Sequence, residues 1–250
     1  MLDCKPITTP LSVKPHSTKE LEPFPNPEYF RSLAGSLQYL TITRPDISFA
    51  VNYICQFMHR PLQTHYEMLK RILQYIKGTV NHFLHYNSGS LTLSTFCDSD
   101  WARDASDRRS TTGYCVFLGS NLISWLAKKQ PTVARSSTEA EYRALAITST
   151  EIIWLRRLLK ELLIPISEPT ELCCDNISAL SLATNPVFHA RTKHIEVDYH
   201  FVREKVQSKE LRLARISTQD QPADIFTKPL SGQRHSLLCS KLRVLSQNSA

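Results

Sequence analysis

No two of the seven cysteines stand in C-x-x-C spacing, and the one close pair, Cys173 and Cys174, is adjacent. That arithmetic argues against a zinc finger or a dithiol redox motif. No secretory leader is recognisable, so the thiols are expected to be free and mostly buried in a reduced intracellular protein, cytoplasmic or nuclear. No apolar run reaches membrane-spanning length, so no membrane partner is expected. The nine histidines are scattered; His189, His194 and His200 gather loosely, without the partner cysteines of a structural zinc site. Nor is the charge collected in a tail. The formal +7 divides between residues 1–90, with 9 basic and 6 acidic residues, and the remainder, with 21 and 17. A positive balance of that kind is compatible with a nucleic-acid partner and excludes little on its own.

What is present falls into two textures. Residues 1–27 are dense in proline and short of apolar periodicity, which reads as an extended lead-in. At Asn26-Pro27 a good N-cap meets a good first-turn residue, and Leu33, Leu37 and Leu40 follow at helical spacing. A second helix opens at Pro45-Asp46 through Ile47, Val51, Ile54 and Met58. A third follows Pro61, carries Met68, Leu69, Ile72, Leu73 and Ile76, and stops near Gly78. Residues 28–88 therefore read as a helical region without evident chemistry. Beyond them SLTLSTFC, TTGYCVFLG and NLISWLAKK read as strands, the last two joined by a hairpin at Gly119-Ser120-Asn121. A long helix over about 137–163, the strand TELCCD, the helix NISALSLAT, a helix over about 192–207, the strand ELRLARI and a final helix near Gln221-Pro222 complete the pattern. Three antiparallel strands followed by strands alternating with helices predict an α/β domain with a mixed five-stranded sheet over residues 89–230. Residues 231–250 read as a polar tail.

Acids at the ends of strands are where a sheet protein can gather metal ligands. Asp98 ends the first strand of the domain, and Asp175 ends the fourth. Asp175 also has a plain structural reading as a helix N-cap. On the long helix Glu141, Leu145, Thr148, Ile152, Leu155 and Leu159 share one face, so Glu141 projects from the buried side. A carboxylate there is costly unless it is paired or metal-bound. Glu139 lies on the polar side, where Ser136-Ser137-Thr138-Glu139 spells a capping box and Arg143 stands at i+4. Spacing leaves Asp220 and Asp224 unresolved, with Asp220 placed as a cap. Asp100 shares strand parity with Asp98 and has no other support. Asp104 and Asp107 read as turn residues, and Trp101 as packing.

The motifs FCDSDWARD, RRSTTGYCVFLG, ISWLAKKQPTVARSSTEAEYRAL, LCCDNISAL, TKHIEVDYHFVREKV and QDQPADIFTKPL occur in that order. Together they resemble the ribonuclease H domain of copia-type retrotransposon polyproteins. The stretch from Tyr29 to Thr79 resembles the connection that follows the reverse transcriptase there, and MLDCKPITTPL the end of the polymerase itself. The resemblance implies a ribonuclease H fold and cleavage of the RNA strand of an RNA–DNA hybrid with two Mg²⁺, which Mn²⁺ can replace. It also implies a family acid set of Asp98, Glu141, Asp175 and Asp224, with Asp98 bridging both ions, Glu141 and Asp175 at the ion near the leaving oxygen, and Asp224 at the ion that activates water. Asp224 rests on the resemblance. Phosphate contacts are expected from Arg108, Arg109, Lys128, Lys129, Arg135 and Lys193. The polymerase Y-x-D-D strand is missing, so no polymerase activity is expected from this segment, whose partner would be the reverse transcriptase domain of a full polyprotein. No histidine follows the last strand, and Arg103 stands where glycine is expected, which implies a strained turn. An organelle-encoded origin is compatible with such a chain. The alternative function is a silent retroelement relic that folds and binds nucleic acid without cleaving it.

Overall fold

The computed structural model describes residues 4–13, 22–104, 106–184 and 196–247. The chain divides into two compact units, residues 1–85 with 228–250, and residues 86–227. In the first unit, α1 (Pro27–Leu40) starts at Asn26, whose side chain accepts from the Tyr29 amide, and buries Phe30, Ala34 and Leu37. A 3-10 turn (Pro45–Ile47) leads into α2 (Ser48–Cys55), and α3 (Gln63–Gly78) follows. Ile47, Val51, Ile54, Leu69 and Ile72 close the helical core, each such side chain worth about 1.5–3 kcal/mol of burial. Asp46 is buried there beneath a fork of two Arg44 hydrogen bonds, 2.9 and 2.7 Å, and a 2.7 Å bond from the Tyr75 hydroxyl. Burial alone would raise its carboxyl, but Arg44 and Tyr75 outweigh that and hold it below the usual range.

Residues 231–250, expected as a polar tail, differ. Ser231 caps α7 (Gly232–Lys241), and β7 (Val244–Ser246) pairs antiparallel with β1 (His82–Leu84). His235, Leu238, Cys239 and Leu242 are buried at steps of three, one and three. That is a helical stripe, and its apolar area outweighs the polar residues between.

The second unit is built on the sheet order β4-β3-β2-β5-β6. Its strands are β2 (Leu93–Asp100), β3 (Thr111–Leu118), β4 (Asn121–Lys129), β5 (Thr170–Cys174) and β6 (Leu211–Arg215). The first three are antiparallel neighbours, whereas β2 with β5 and β5 with β6 are parallel. This is the mixed five-stranded sheet anticipated from the alternation of elements. Gly119, at φ +61°, makes the β3–β4 turn, and a Cβ there would meet the Ser90 carbonyl oxygen at 2.3 Å. The 25-residue α4 (Ser137–Glu161) lays Tyr142, Leu145, Ile152, Leu155 and Leu159 against Cys97, Tyr114, Val116 and Leu172 of the sheet. Helices α5 (Ile177–Thr184) and α6 (Glu196–Gln207) flank it. The final helix expected near Gln221 is a five-residue 3-10 turn, Pro222–Phe226. Among the described residues, no helix is long and apolar enough to cross a membrane.

Candidate metal centre

β2 runs on to Asp100, so Asp98 lies two residues inside the strand rather than at its end. Because β2 and β5 are parallel neighbours it still comes beside Asp175, just past β5, where α4 brings Glu141 across them. Glu141, Cys174 and Asp175 each offer a ligand atom within 4.8 Å of the others. Asp98 and Glu141 are buried, at 3% and 6% exposure, while Asp175 is half-buried. Burial first, then the charges of Asp98, Cys174 and Asp175, push the Glu141 carboxyl up to about 11, against a hydrogen bond from the Ser99 backbone N–H. Asp46 offers the control within the same chain: that buried carboxylate has an arginine, and its pKa falls. Around Glu141 the groups that act are acids and a thiol, so the carboxyl holds its proton until a cation arrives. Two carboxylates and a thiol converging from α4 and the end of β5, short of counter-charge and with the Asp98 charge bearing on Glu141, fit a divalent cation.

Other placements sort the remaining acids. Asp175 is not the α5 cap: the Ala179 amide donates to Asn176 Oδ1 at 3.0 Å, and Asp175 Oδ2 instead accepts from the Thr218 hydroxyl at 2.9 Å. Glu139 is the structural acid of α4, but it is buried rather than exposed. Its carboxylate accepts from Arg143 at 2.7 Å and from the Arg135 amide at 2.8 Å, while its own amide donates to Ser136 Oγ. The reach-back thus lands one residue before the cap, and the partners cover the acid. Glu139→Gln is expected to cost about 1–2 kcal/mol in a urea melt while leaving divalent-cation affinity at the wild-type value. Asp220 lies exposed in a turn bonded to Ser217, and Gln221 caps the 3-10 turn in its place.

Asp224 is buried in that turn at 5% exposure. Among the described residues it does not join the 4.8 Å set, and neither does Asp98. The two are linked through Thr227, whose hydroxyl donates to Asp98 Oδ2 and lies 3.4 Å from the Asp224 carbonyl oxygen. Gly113, paired with Asp98 across β2 and β3, makes this approach possible. A Cβ on it would stand 2.7 Å from both Phe226 Cβ and Thr227 Cγ2. Cys174 and Thr227 carried no signal in the sequence reading. Strand parity would have set Cys174 opposite Asp175, but β5 ends at Cys174, so the alternation stops there.

The basic candidates divide. Arg108, Arg109, Lys128 and Arg135 are exposed, on the loop before β3, at the end of β4, and before α4. Lys129 instead binds Asp104 at 2.5 Å and Asp107 at 2.9 Å, fastening the loop that follows β2. Burial works against the Asp104 charge, but Lys129 and Ser106 outweigh it and hold that carboxyl at about 2. Lys193 lies outside the described residues, as do His189 and His194. Trp101 both packs and faces out: its indole N–H donates to the Ala134 carbonyl at 3.0 Å, yet the residue is 49% exposed. The strain expected at Arg103 falls on its neighbours, since Ala102 and Arg108 take φ of 50° and 57°.

Comparison with known proteins gives this geometry a lineage. No family model matches the chain. It is 50% identical over 246 residues to the retrovirus-related Pol polyprotein from transposon RE1 of Arabidopsis thaliana, covering 98% of this chain and 17% of the polyprotein. It is 38% identical over 256 residues to the corresponding polyprotein from transposon TNT 1-94 of Nicotiana tabacum, at 99% and 19% coverage. A crystal structure of LC11-RNase H1 in complex with an RNA/DNA hybrid aligns at 12% identity and a TM-score of 0.41, covering 54% of this chain and 94% of that one. The chain spans less than a fifth of the length of the polyproteins it matches. Along nearly its whole length the chain is thus similar to one segment of copia-type retrotransposon Pol polyproteins, and its second unit carries the mixed five-stranded sheet described above.

Proposed function

We propose that residues 86–227 form a ribonuclease H that hydrolyses the RNA strand of an RNA–DNA hybrid during reverse transcription. The observation that carries this reading is the convergence of the Glu141 and Asp175 carboxylates within 4.8 Å, with the charge of Asp98 bearing on Glu141. Asp98, Glu141, Asp175 and Asp224 are the residues that would hold the cations, Mg²⁺ by preference and Mn²⁺ in its place. Bound there, two divalent ions supply an activated water and charge neutralisation at the leaving oxygen. The chain's own part is orientation. Thr227 fixes one Asp98 oxygen, Thr218 one Asp175 oxygen, and the Ser99 amide faces Glu141. Arg108, Arg109, Lys128 and Arg135 would meet backbone phosphates, which position a duplex without reading its sequence. In a polyprotein the reverse transcriptase domain would be the natural partner.

The test is a labelled hybrid incubated with the purified chain. Cleavage confined to the RNA strand, dependent on Mg²⁺ or Mn²⁺ and stopped by chelation, is expected. Single-stranded RNA and duplex DNA should stay intact. A wild-type rate no higher than that of Asp98→Asn would overturn the proposal in favour of a silent relic.

A further inference from the structure

Cys174 sits in the middle of the acid cluster, yet the proposed hydrolysis gives its thiol nothing to do. A magnesium site has no use for sulfur, because Mg²⁺ takes oxygen ligands. The Cys174 Sγ is 3.7 Å from Glu141 Oε2 and accepts from the Asn176 amide at 3.4 Å. On the neighbouring strand, one residue beyond the Phe96–Cys173 pair, the Cys97 thiol donates to the Cys173 carbonyl oxygen at 3.8 Å. Both sulfurs are fully buried. A tetrahedral ion with bonds of about 2.0 Å to oxygen and 2.3 Å to sulfur needs ligand atoms roughly 3.5 Å apart. Glu141 Oε2 and Cys174 Sγ stand 3.7 Å apart, close to that separation, and the ligand atoms of Glu141, Cys174 and Asp175 all lie within 4.8 Å of one another.

We propose that Glu141, Cys174 and Asp175 form a three-ligand site for a thiophilic divalent cation, Zn²⁺ or Cd²⁺, with a water in the fourth position. On binding, the Cys174 S–H and the Glu141 carboxyl O–H bonds both break, sulfur and oxygen each give an electron pair to the metal, and two protons leave to solvent. The Asn176 N–H already points at this sulfur, and the incoming cation supplies the counter-charge that the surrounding carboxylates lack. Half-buried Asp175 connects the site to water. A softer ion here occupies two of the carboxylates proposed for Mg²⁺ and so blocks cleavage. That consequence rests on the ribonuclease reading, whereas the binding itself does not.

The probe is Cd²⁺ alone, titrated into the full chain with calorimetry and ultraviolet absorption. Wild type is expected to show a sulfur-to-cadmium charge-transfer band saturating with one tight ion. Cys174→Ser, whose hydroxyl can still accept from Asn176, should lose that band and more than about tenfold in affinity. Its Mn²⁺ affinity and its circular dichroism should stay at wild-type values, which separates ligand loss from misfolding. Equal Cd²⁺ affinity in the two proteins, or a band that survives Cys174→Ser, would overturn the site. Failure of wild type to bind Mn²⁺ would count against the ribonuclease reading, and the cadmium band would still decide this one.

Discussion

Glu141→Gln should make the metal-free protein more stable at neutral pH while removing its cleavage activity. In the fold the Glu141 carboxyl is pushed from 4.5 up to about 11, first by burial and then by Asp98, Cys174 and Asp175. A carboxyl that must keep its proton at pH 7 costs the fold about 1.4 kcal/mol for each pH unit above its unfolded value, or about 3 kcal/mol in all. Because the folded pKa is raised, the cost is absent below pH 4.5, grows as pH rises through neutrality, and levels off where the folded group ionises. Glutamine carries no such cost and keeps an oxygen for the Ser99 amide. The variant's melting temperature should exceed wild type by about 5–10 °C at pH 7 without metal, and the gap should close near pH 4.5. Adding Mg²⁺ should raise the wild-type melting temperature and leave the variant nearly unmoved, since the ion supplies the counter-charge that glutamine makes unnecessary. Melts at pH 4.5 and 7, with and without Mg²⁺, check this. A variant that melts below wild type in chelated buffer at pH 7 would show that the acids are not crowded.

Much of this site was legible because its acids sit at or near the ends of regular elements. Glu141 separates from Glu139 on helical periodicity alone, since only Glu141 shares the face of Leu145, Ile152 and Leu155. Asp175 stands at a strand end as expected and Asp98 two residues short of one, and the parallel register of Phe96 with Cys173 sets the two side by side. Periodicity fails where an element is too short to have a period. Asp224 rides a five-residue 3-10 turn held to β2 by the Gln221 side chain on the Cys97 carbonyl and the Thr227 hydroxyl on Asp98, so nothing in its own neighbourhood shows which way it faces. The burial of Glu139 escaped for a related reason: a polar helix face becomes an interior when a preceding loop folds onto it, as Arg135 and Thr132 do at Glu139 and Arg143. The stripe of His235, Leu238, Cys239 and Leu242 is present at helical spacing, but it is masked by Ser236, Ser240 and Lys241 between and by Gln233 and Arg234 before it.

Gly113→Ala should disable the protein without touching an acid. The residue pairs with Asp98 in the β2–β3 ladder, and the 3-10 turn bearing Asp224 packs directly on its Cα. An added Cβ would lie 2.7 Å from Phe226 Cβ and Thr227 Cγ2 and 3.2 Å from the Ala223 carbonyl oxygen. Phe226, Thr227 and Ala223 are themselves fully buried, so none has open space to retreat into. The turn must move away from the sheet as a body, at a cost of about 3 kcal/mol. That movement pulls the Thr227 hydroxyl from Asp98 and shifts Asp224 with it. A displacement of about 1 Å in groups that position a reaction can cost on the order of a hundredfold in rate. Gly35→Ala supplies the contrast: it lies in α1, where a Cβ meets nothing within 4 Å. That change should stabilise by about 0.5–1 kcal/mol, the ordinary gain of alanine over glycine in a helix. Urea melts and hybrid-cleavage rates of the two variants separate a general glycine effect from this one. If Gly113→Ala cleaves at the wild-type rate, the Asp98–Thr227–Asp224 link is not what sets the site, and the three ligands within 4.8 Å must suffice without it.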